Sequence, residues 1–299
     1  MTLLITAAHG NQGRLLVPKV LKAGIPMRAC VRTEASAAAL RAAGVGDVVV
    51  GDISDRDTLR RAISGVKAVY HVGPACHPQE RKMGIDMIDA ARAEGLEHFV
   101  LSSVLHAITR ELVQHEIKRD IEEHLLSSGL EFTILQPANY MLPLKLRSSF
   151  EKGVYRMSWS PERKQSLIAL TDLTDVSVEV IANGPHHFGA TYELASPGRY
   201  TGHDLCEVIS KVTGRKISLE KITPDQYLRM VFGDFDDKDF THQLHVHRSI
   251  GSRLSSHDFV GNPNVLEWLL RRKPVTFDAF VRQQFEIFNA GRVRSLTGS

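Results

Sequence analysis

The chain has 299 residues, of which 43% are hydrophobic and 24% charged, enough to bury a substantial core in one large domain or in a main domain with a smaller partner. A formal net charge of +3 is too small to argue for a nucleic-acid surface. The densest basic run, Arg271-Arg272-Lys273, follows "LEWLL" and precedes Pro274, as a cationic helix C-terminus does.

In chain order, "LLITA" (3–7) predicts a strand and 14–22 a helix stopped by Gly24. "MRACV" (27–31) predicts a second strand, then a helix over 35–43 stopped by Gly44. "DVVVGD" (47–52) is a third, followed by a helix over 58–63. "AVYHVG" (68–73) is a fourth, with a helix over 81–94 closed by Gly95. "HFVLSS" (98–103) is a fifth, with a helix over 115–127, and "FTILQP" (132–137) follows. Strands separated by helices of this length imply βαβ crossovers and a parallel sheet. Their near-continuous apolar character fits a sheet covered on both faces.

After Pro137 the rhythm changes. "NYMLPLKLRSSFEKG" has no clean period, and "VYRMSWSPERKQ" reads as a loop or hairpin. "LIALTDLTDVSVEVIANG" starts a helix at Asp172 or Thr174, and "TYELAS" is a strand. A helix to Val212, a strand at "KISLEK" and further helices follow. Thr276 is a good N-cap for the last of these, with Phe277, Phe280 and Phe285 on its buried face. "THQLHVHR" would put His245 and His247 on one strand face, which is too little convergence for a metal. "GDFDDKDF" lacks the glycine and the glutamate of a calcium loop, and His186-His187 sits in a Gly/Pro loop that requires no role. The fold class expected is α/β, a doubly wound parallel sheet with a smaller, mixed α/β C-terminal region. The domain reading assigns 1–140 to the sheet domain, with 166–196 returning to it. Residues 141–165 and 197–299 form a substrate-binding region.

Cys30, Cys76 and Cys206 show neither metal-ligand spacing nor a disulfide framework. The first strand begins almost at Met1, leaving no room for a leader, and no apolar stretch approaches the ~20 residues of a membrane helix. The expectation is a reduced, soluble, cytoplasmic protein with a small-molecule substrate, no nucleic-acid or membrane partner, and a monomeric or homodimeric state.

The loop "TAAHGNQG" (6–13) follows the first strand and opens a helix, where free N–H groups and the helix dipole can hold a pyrophosphate. Gly10 lets backbone approach a phosphate and Gly13 lets the helix pack on the strand, while Ala7 replaces the first glycine of the usual pattern. The second strand ends at Arg32, with no acid from Met27 to Thr33. Arg32 reads either as a solvated strand-end charge or as the partner of a 2′-phosphate, which favours NADP(H) over NAD.

"LLITAAHGNQGRLL" resembles the "TGATGxxG" start of atypical short-chain dehydrogenase/reductases, in particular the NmrA-like group with its isoflavone-reductase-like members. "CVR" (30–32), "VVVGDISDRDTL" (48–59), "HFVLSS" (98–103) and "QHEIKRDIEEHLLSSGLEFTILQPANYM" (114–141) support the likeness. "NPNVLEWLLRRKPVTFDAFV" is similar to the tail of fungal members. The resemblance covers most of the chain and is weakest from Met230 to Asp258. It implies a Rossmann-type sheet and NADP(H) held at its phosphates by Ala8, Gly10, Asn11 and Gln12. Arg32 would take the 2′-phosphate, and Asp52 and Ile53 the adenine. Val72, Gly73, Lys118 and the segment from Pro137 through Asn139 to Tyr140 would meet the nicotinamide end.

Typical relatives carry a serine after the fifth strand and a Tyr-x-x-x-Lys pair on the next helix, where i and i+4 share a face. Here Ser102, Ser103 and Lys118 are present, but Gln114 stands in place of the tyrosine and cannot donate its proton. Lys118 reads as a ribose-orienting lysine or a surface charge. His115 reads as an acid–base group or a surface histidine, and Tyr140 as a proton donor or an apolar wall. Three functions follow: an NADPH-dependent oxidoreductase of a small aromatic or conjugated carbonyl compound in secondary metabolism, a non-catalytic NADP(H) sensor of the NmrA type, or a non-redox dehydratase or cyclase. Lys118 and the aromatic later segment favour the enzyme.

Overall fold

Short aliphatic runs, punctuated by glycines that close the intervening helices in a left-handed conformation (Gly24 at φ 68°, Gly95 at φ 66°), build the sheet. The computed structural model describes residues 2–296. In chain order the first elements are β1 (Leu3–Ile5), α1 (Gly13–Lys22), β2 (Met27–Val31), α2 (Glu34–Ala42), β3 (Asp47–Val50) and α3 (Arg56–Ile63). Then come β4 (Ala68–Val72), α4 (Glu80–Ala93), β5 (His98–Ser102), α5 (Val113–Leu126) and β6 (Phe132–Pro137). Next are β7 (Asn139–Met141), α6 (Pro143–Lys152), β8 (Val154–Met157), β9 (Leu167–Ala169), α7 (Leu170–Ala182) and β10 (Ala190–Leu194). The last are α8 (Gly202–Thr213), β11 (Ser218–Lys221), α9 (Pro224–Phe232), α10 (Thr241–Ser256), α11 (Asn264–Leu270) and α12 (Phe277–Leu296).

Two compact units share these elements: Met1–Pro137 with Leu170–Leu194, and Ala138–Ala169 with Ala195–Ser299. The first unit carries a seven-stranded sheet in the order β10-β6-β5-β4-β1-β2-β3, parallel throughout, in the doubly wound Rossmann-type arrangement. Leu4, Val69, Phe99 and Leu101 pack against Ile63, Met87, Ile88, Ile121 and Leu125 of the covering helices. The chain runs outward from β1 to β3, then crosses back to β4 and runs the other way. The switch falls between β1 and β4, where open α/β sheets bind ligands beyond the strand carboxyl ends.

The second unit pairs β7 with β9 and β8 with β11, both in parallel. Several elements here depart from the sequence reading. The segment without a period holds β7 and α6. Pro143 opens that helix, Leu146, Ser149 and Phe150 are buried, and Gly153 at φ 72° closes it. "VYRM" is β8, a strand with buried Tyr155 and Met157, not a loop or hairpin. Its partner lies more than sixty residues downstream, so nothing local announces it. α7 begins at Leu170, directly after β9, earlier than either capping residue suggested. His242, His245 and His247 lie on the helix α10, not on a strand. Its core contacts come from Leu244, Val246, Gly251 and Leu254, and Gly251 packs against Pro224 and the Ser158 carbonyl. Among the described residues no group of histidine, cysteine and carboxylate side chains is arranged for a metal, and no helix is long and apolar enough to cross a membrane.

Candidate functional site

Thr6 ends β1 by tying it to β4, accepting the Val72 N–H at 2.8 Å and donating to the Val72 carbonyl at 3.1 Å. The chain then turns through Ala7, which takes a left-handed backbone at φ 49° without the freedom of glycine. The Gly10 N–H closes the turn on the Ala7 carbonyl at 2.8 Å. Gly13 is obligatory, since a Cβ there would lie 2.3 Å from the Ala8 carbonyl oxygen. α1 starts at that glycine with no side-chain cap. This leaves the helix N-terminus, with its positive dipole end, for an anion.

Beyond this turn a cavity of about 300 Å³ opens between the carboxyl ends of β1, β2 and β4. Gly10, Arg32, Asp52, Ile53 and Val72 all line it, joined by His9, Ser36, Gly51 and His77. Arg32 is exposed and makes no ion pair among the described residues, beside the N-terminus of α2 that Thr33 caps. The Ser54 N–H, donated at 2.8 Å, holds the Asp52 carboxyl below its usual range, and the charges of His77 and Arg32 add to this. The chemistry is a cationic guanidinium at one rim, a firmly ionised acceptor across from it, and an apolar wall between.

The other expected cofactor residues stand differently. Asn11 is exposed, while Ala8, Gly73 and Pro137 are buried. Gln12 turns its side chain inward. Its Nε2 donates to Ser102 Oγ at 2.8 Å and its Oε1 accepts from Tyr70 at 2.7 Å, whose hydroxyl in turn accepts from Ser177 at 2.9 Å. Gln12 therefore offers a ligand backbone, not carboxamide. Asn139 and Tyr140 fall in β7 of the second unit, where Asn139 Nδ2 donates to Gln165 at 3.2 Å and Tyr140 is half-buried.

The lysine region is an internal network. Lys118 Nζ lies 2.8 Å from Glu80 Oε1, with side-chain exposures of 5% and 0%. It also donates to the Ser102 carbonyl at 3.3 Å. Gln114 Nε2 donates to Glu80 Oε2 at 2.9 Å, and the Cys76 N–H reaches that oxygen at 3.1 Å and Gln114 Oε1 at 3.2 Å. Gly73 covers the pair: a Cβ there would come 2.9 Å from Glu80 Oε1 and 3.2 Å from Lys118 Nζ. The surface-charge reading of Lys118 is thus overturned by its burial. His115 is buried too, its Nδ1 donating to the His106 carbonyl at 2.9 Å. Ser103 donates to Glu122, whose carboxyl burial pushes up against the hydrogen bonds from Ser103 and Gln136.

Sequence reasoning missed Glu80, Tyr70 and Ser177. Glu80 reads as an acid in the first turn of a helix, favourable there on dipole grounds alone. Nothing local shows that it is fully enclosed.

The sequence pattern of the NmrA-like family matches residues 1–265. This chain belongs to the NmrA-like family. Among relatives of this NmrA-like chain, the NAD(P)H azoreductase of Xenophilus azovorans is 30% identical over 236 residues, covering 77% of this chain and 80% of that one. Triphenylmethane reductase of a Citrobacter species superposes with a TM-score of 0.81 at 20% identity, over 96% of this chain and all of that one. The NADPH complex of an Escherichia coli quinone oxidoreductase gives 0.78 at 24% identity, over 95% and 99%.

Proposed function

We propose that this chain is an NADPH-dependent oxidoreductase that reduces small aromatic or conjugated carbonyl compounds and kindred delocalised acceptors. The observation that carries the reading is the cavity at the β1/β4 switch, which sets Gly10, Arg32, Asp52, Ile53 and Val72 around one space. The relatives named above support it: one is a quinone oxidoreductase bound to NADPH, another an NAD(P)H azoreductase.

In this reading the uncapped start of α1, with Ala8, Gly10, Asn11 and the Gln12 backbone, receives the pyrophosphate. Arg32 pairs with the 2′-phosphate as a charge-assisted donor. Asp52 and Ile53 hold the adenine, while Val72, Gly73 and Pro137 serve the nicotinamide end. The dinucleotide, when bound, supplies a hydride. Lys118 acts through position: its ion pair with Glu80 fixes the backbone at Gly73 that the ribose would meet. Gln114 holds no transferable proton, and the Nδ1 proton of His115 is committed to a carbonyl. A conjugated acceptor suits such a site, because the charge it gains is delocalised and water can supply the proton.

The commitment of Gln114 and Lys118 to Glu80 also favours a second reading, a sensor that binds NADP(H) without turnover. One experiment separates them. NADPH and NADH are titrated against the parent and Arg32→Ala, then NADPH consumption is followed with a quinone, an azo dye and an aromatic aldehyde. The expected result is tighter NADPH binding in the parent, about a tenfold loss in Arg32→Ala with NADH unaffected, and consumption with at least one acceptor. Equal affinities overturn the Arg32 assignment. Preference without consumption establishes the sensor, and product without consumption a non-redox enzyme.

A further inference from the structure

The cavity at the β1/β4 switch holds a side chain whose role neither the glycines of its loop nor Arg32 explains. His9 stands half-buried between β1 and α1 and lines that cavity together with Arg32, Thr33 and Ser36. Its ring is held from two helices. Ser36 Oγ, in the first turn of α2, lies 3.2 Å from His9 Nδ1. Ser36 itself accepts the Thr33 hydroxyl proton at 3.0 Å, which leaves its own proton for the imidazole. From α1, Arg14 Nε donates to the His9 carbonyl at 2.9 Å and brings Nη2 to 3.5 Å from the same Nδ1.

These partners decide the tautomer. A guanidinium nitrogen can only donate, and the Ser36 hydroxyl has a proton to give. Nδ1 therefore meets them with its lone pair, and the ring proton sits on Nε2. Among the described residues that N–H has no hydrogen-bond partner. The charge nearest the ring is cationic. Neither Arg14 nor Arg32 makes an ion pair among the described residues, and Glu34, at the start of α2, is turned to Arg41 at 3.2 Å. Asp52, the carboxylate that lines the cavity, follows β3, and β2 with Arg32 stands between it and the His9 loop.

An oriented N–H beside two free guanidinium groups suits an anion. The backbone at the start of α1 serves one phosphate group, whereas the His9 ring is pinned to the first turn of α2, the helix that follows Arg32. Given the dinucleotide reading, on which this rests, we infer that His9 is a second reader of the 2′-phosphate of NADPH. Its Nε2–H donates to the phosphate that Arg32 pairs with, and Ser36 is the positioning residue that fixes the ring. An N–H given to a phosphate is a charge-assisted hydrogen bond, so its loss should cost about tenfold in affinity. The preference for NADPH is then shared between two side chains, and Arg32 alone does not carry it.

NADPH and NADH differ only in the 2′-phosphate, so the pair isolates this contact. Both are titrated by nicotinamide fluorescence into the full-length chain, His9→Ala, His9→Gln, Arg32→Ala and the double variant His9→Ala with Arg32→Ala. The expected result is about a tenfold loss of NADPH affinity in His9→Ala with NADH binding unchanged. Unchanged NADH binding also shows that the loop keeps its fold. His9→Gln, whose amide N–H reaches about as far as Nε2, should restore most of the loss. Arg32→Ala should retain part of the preference and the double variant none. In proton–nitrogen NMR spectra the His9 ring should carry its proton on Nε2, and that nitrogen should shift with NADPH far more than with NADH. Undiminished preference in His9→Ala overturns the inference and leaves the dinucleotide reading standing, as do equal losses for both nucleotides. A parent that binds neither nucleotide overturns both.

Discussion

Ala7 shows how much one methyl group decides. The strand read over 3–7 ends at Ile5 because the next residues must turn into the start of α1, and Ala7 does so at φ 49°. For an L-residue this conformation costs roughly 1–2 kcal/mol, while glycine would return roughly 0.4–1 kcal/mol through the greater entropy of its unfolded chain. Ala7→Gly should therefore stabilise the protein by about 0.5–1 kcal/mol, a gain of a few degrees in Tm by calorimetry. A lowered Tm would show that the turn is relaxed around the alanine. Gly13→Ala should act in the opposite sense, since the Ala8 carbonyl is backbone and cannot yield. The loop and its two glycines were legible in the sequence. The strain at Ala7 was not, because the missing glycine announces only a departure from pattern.

At the scale of elements, α4 and α5 are joined by a buried charge pair that the sequence half revealed. Lys118 stood out through its spacing from Gln114, but the acid that answers it came from a helix start some forty residues earlier. A short-range pattern fixes which residues share a helix face. It does not fix which face of another helix lies opposite. Removing one member of a buried pair leaves the other uncompensated, at roughly 3–5 kcal/mol. Lys118→Met should therefore lower stability by about that amount in denaturant titrations, and Lys118→Met with Glu80→Gln should recover much of it. A stable Lys118→Met would mean that Glu80 finds other partners and that the lysine serves the ligand alone. The same limit explains the second unit. β8 and α6 take their definition from β11 and from the Phe285 and Phe288 rings of α12, 5.2 and 5.4 Å from Phe150, all far along the chain.

At the scale of the whole molecule, three histidines among the described residues are held as neutral rings: the buried His71 in β4, pushed down to about 3, and the buried His98 in β5 and half-buried His247 in α10, each to about 4. Burial is the first cause for all three, reinforced by Lys118 at His71, His187 at His98 and Lys145 at His247. The first two were foreseeable, since they sit within strands covered on both faces. His247 was not, because its segment reads equally as strand or helix until Leu244 and Leu254 find the core. Each ring binds a proton in the unfolded chain below about pH 6.5 but not in the folded one until pH 3–4. The unfolded state thus takes up more protons as pH falls, so stability present above pH 6.5 is lost toward acid. At pH 5 the loss is about 2 kcal/mol per histidine. Asp52, Asp55, Asp204 and Asp225, all held below their usual range, act in the same direction but only in stronger acid. Glu122, held above its range, opposes them. The window between pH 7 and 5 therefore belongs mainly to the histidines, two of them in the first unit and one in the second. Guanidinium unfolding followed at pH 7.5, 6 and 5 should show a midpoint that falls steeply below pH 6.5. His71→Met, which removes one buried titrating ring from the sheet, should flatten that fall by about a third. A midpoint constant across the window would mean that these rings are charged, and solvated, inside the fold.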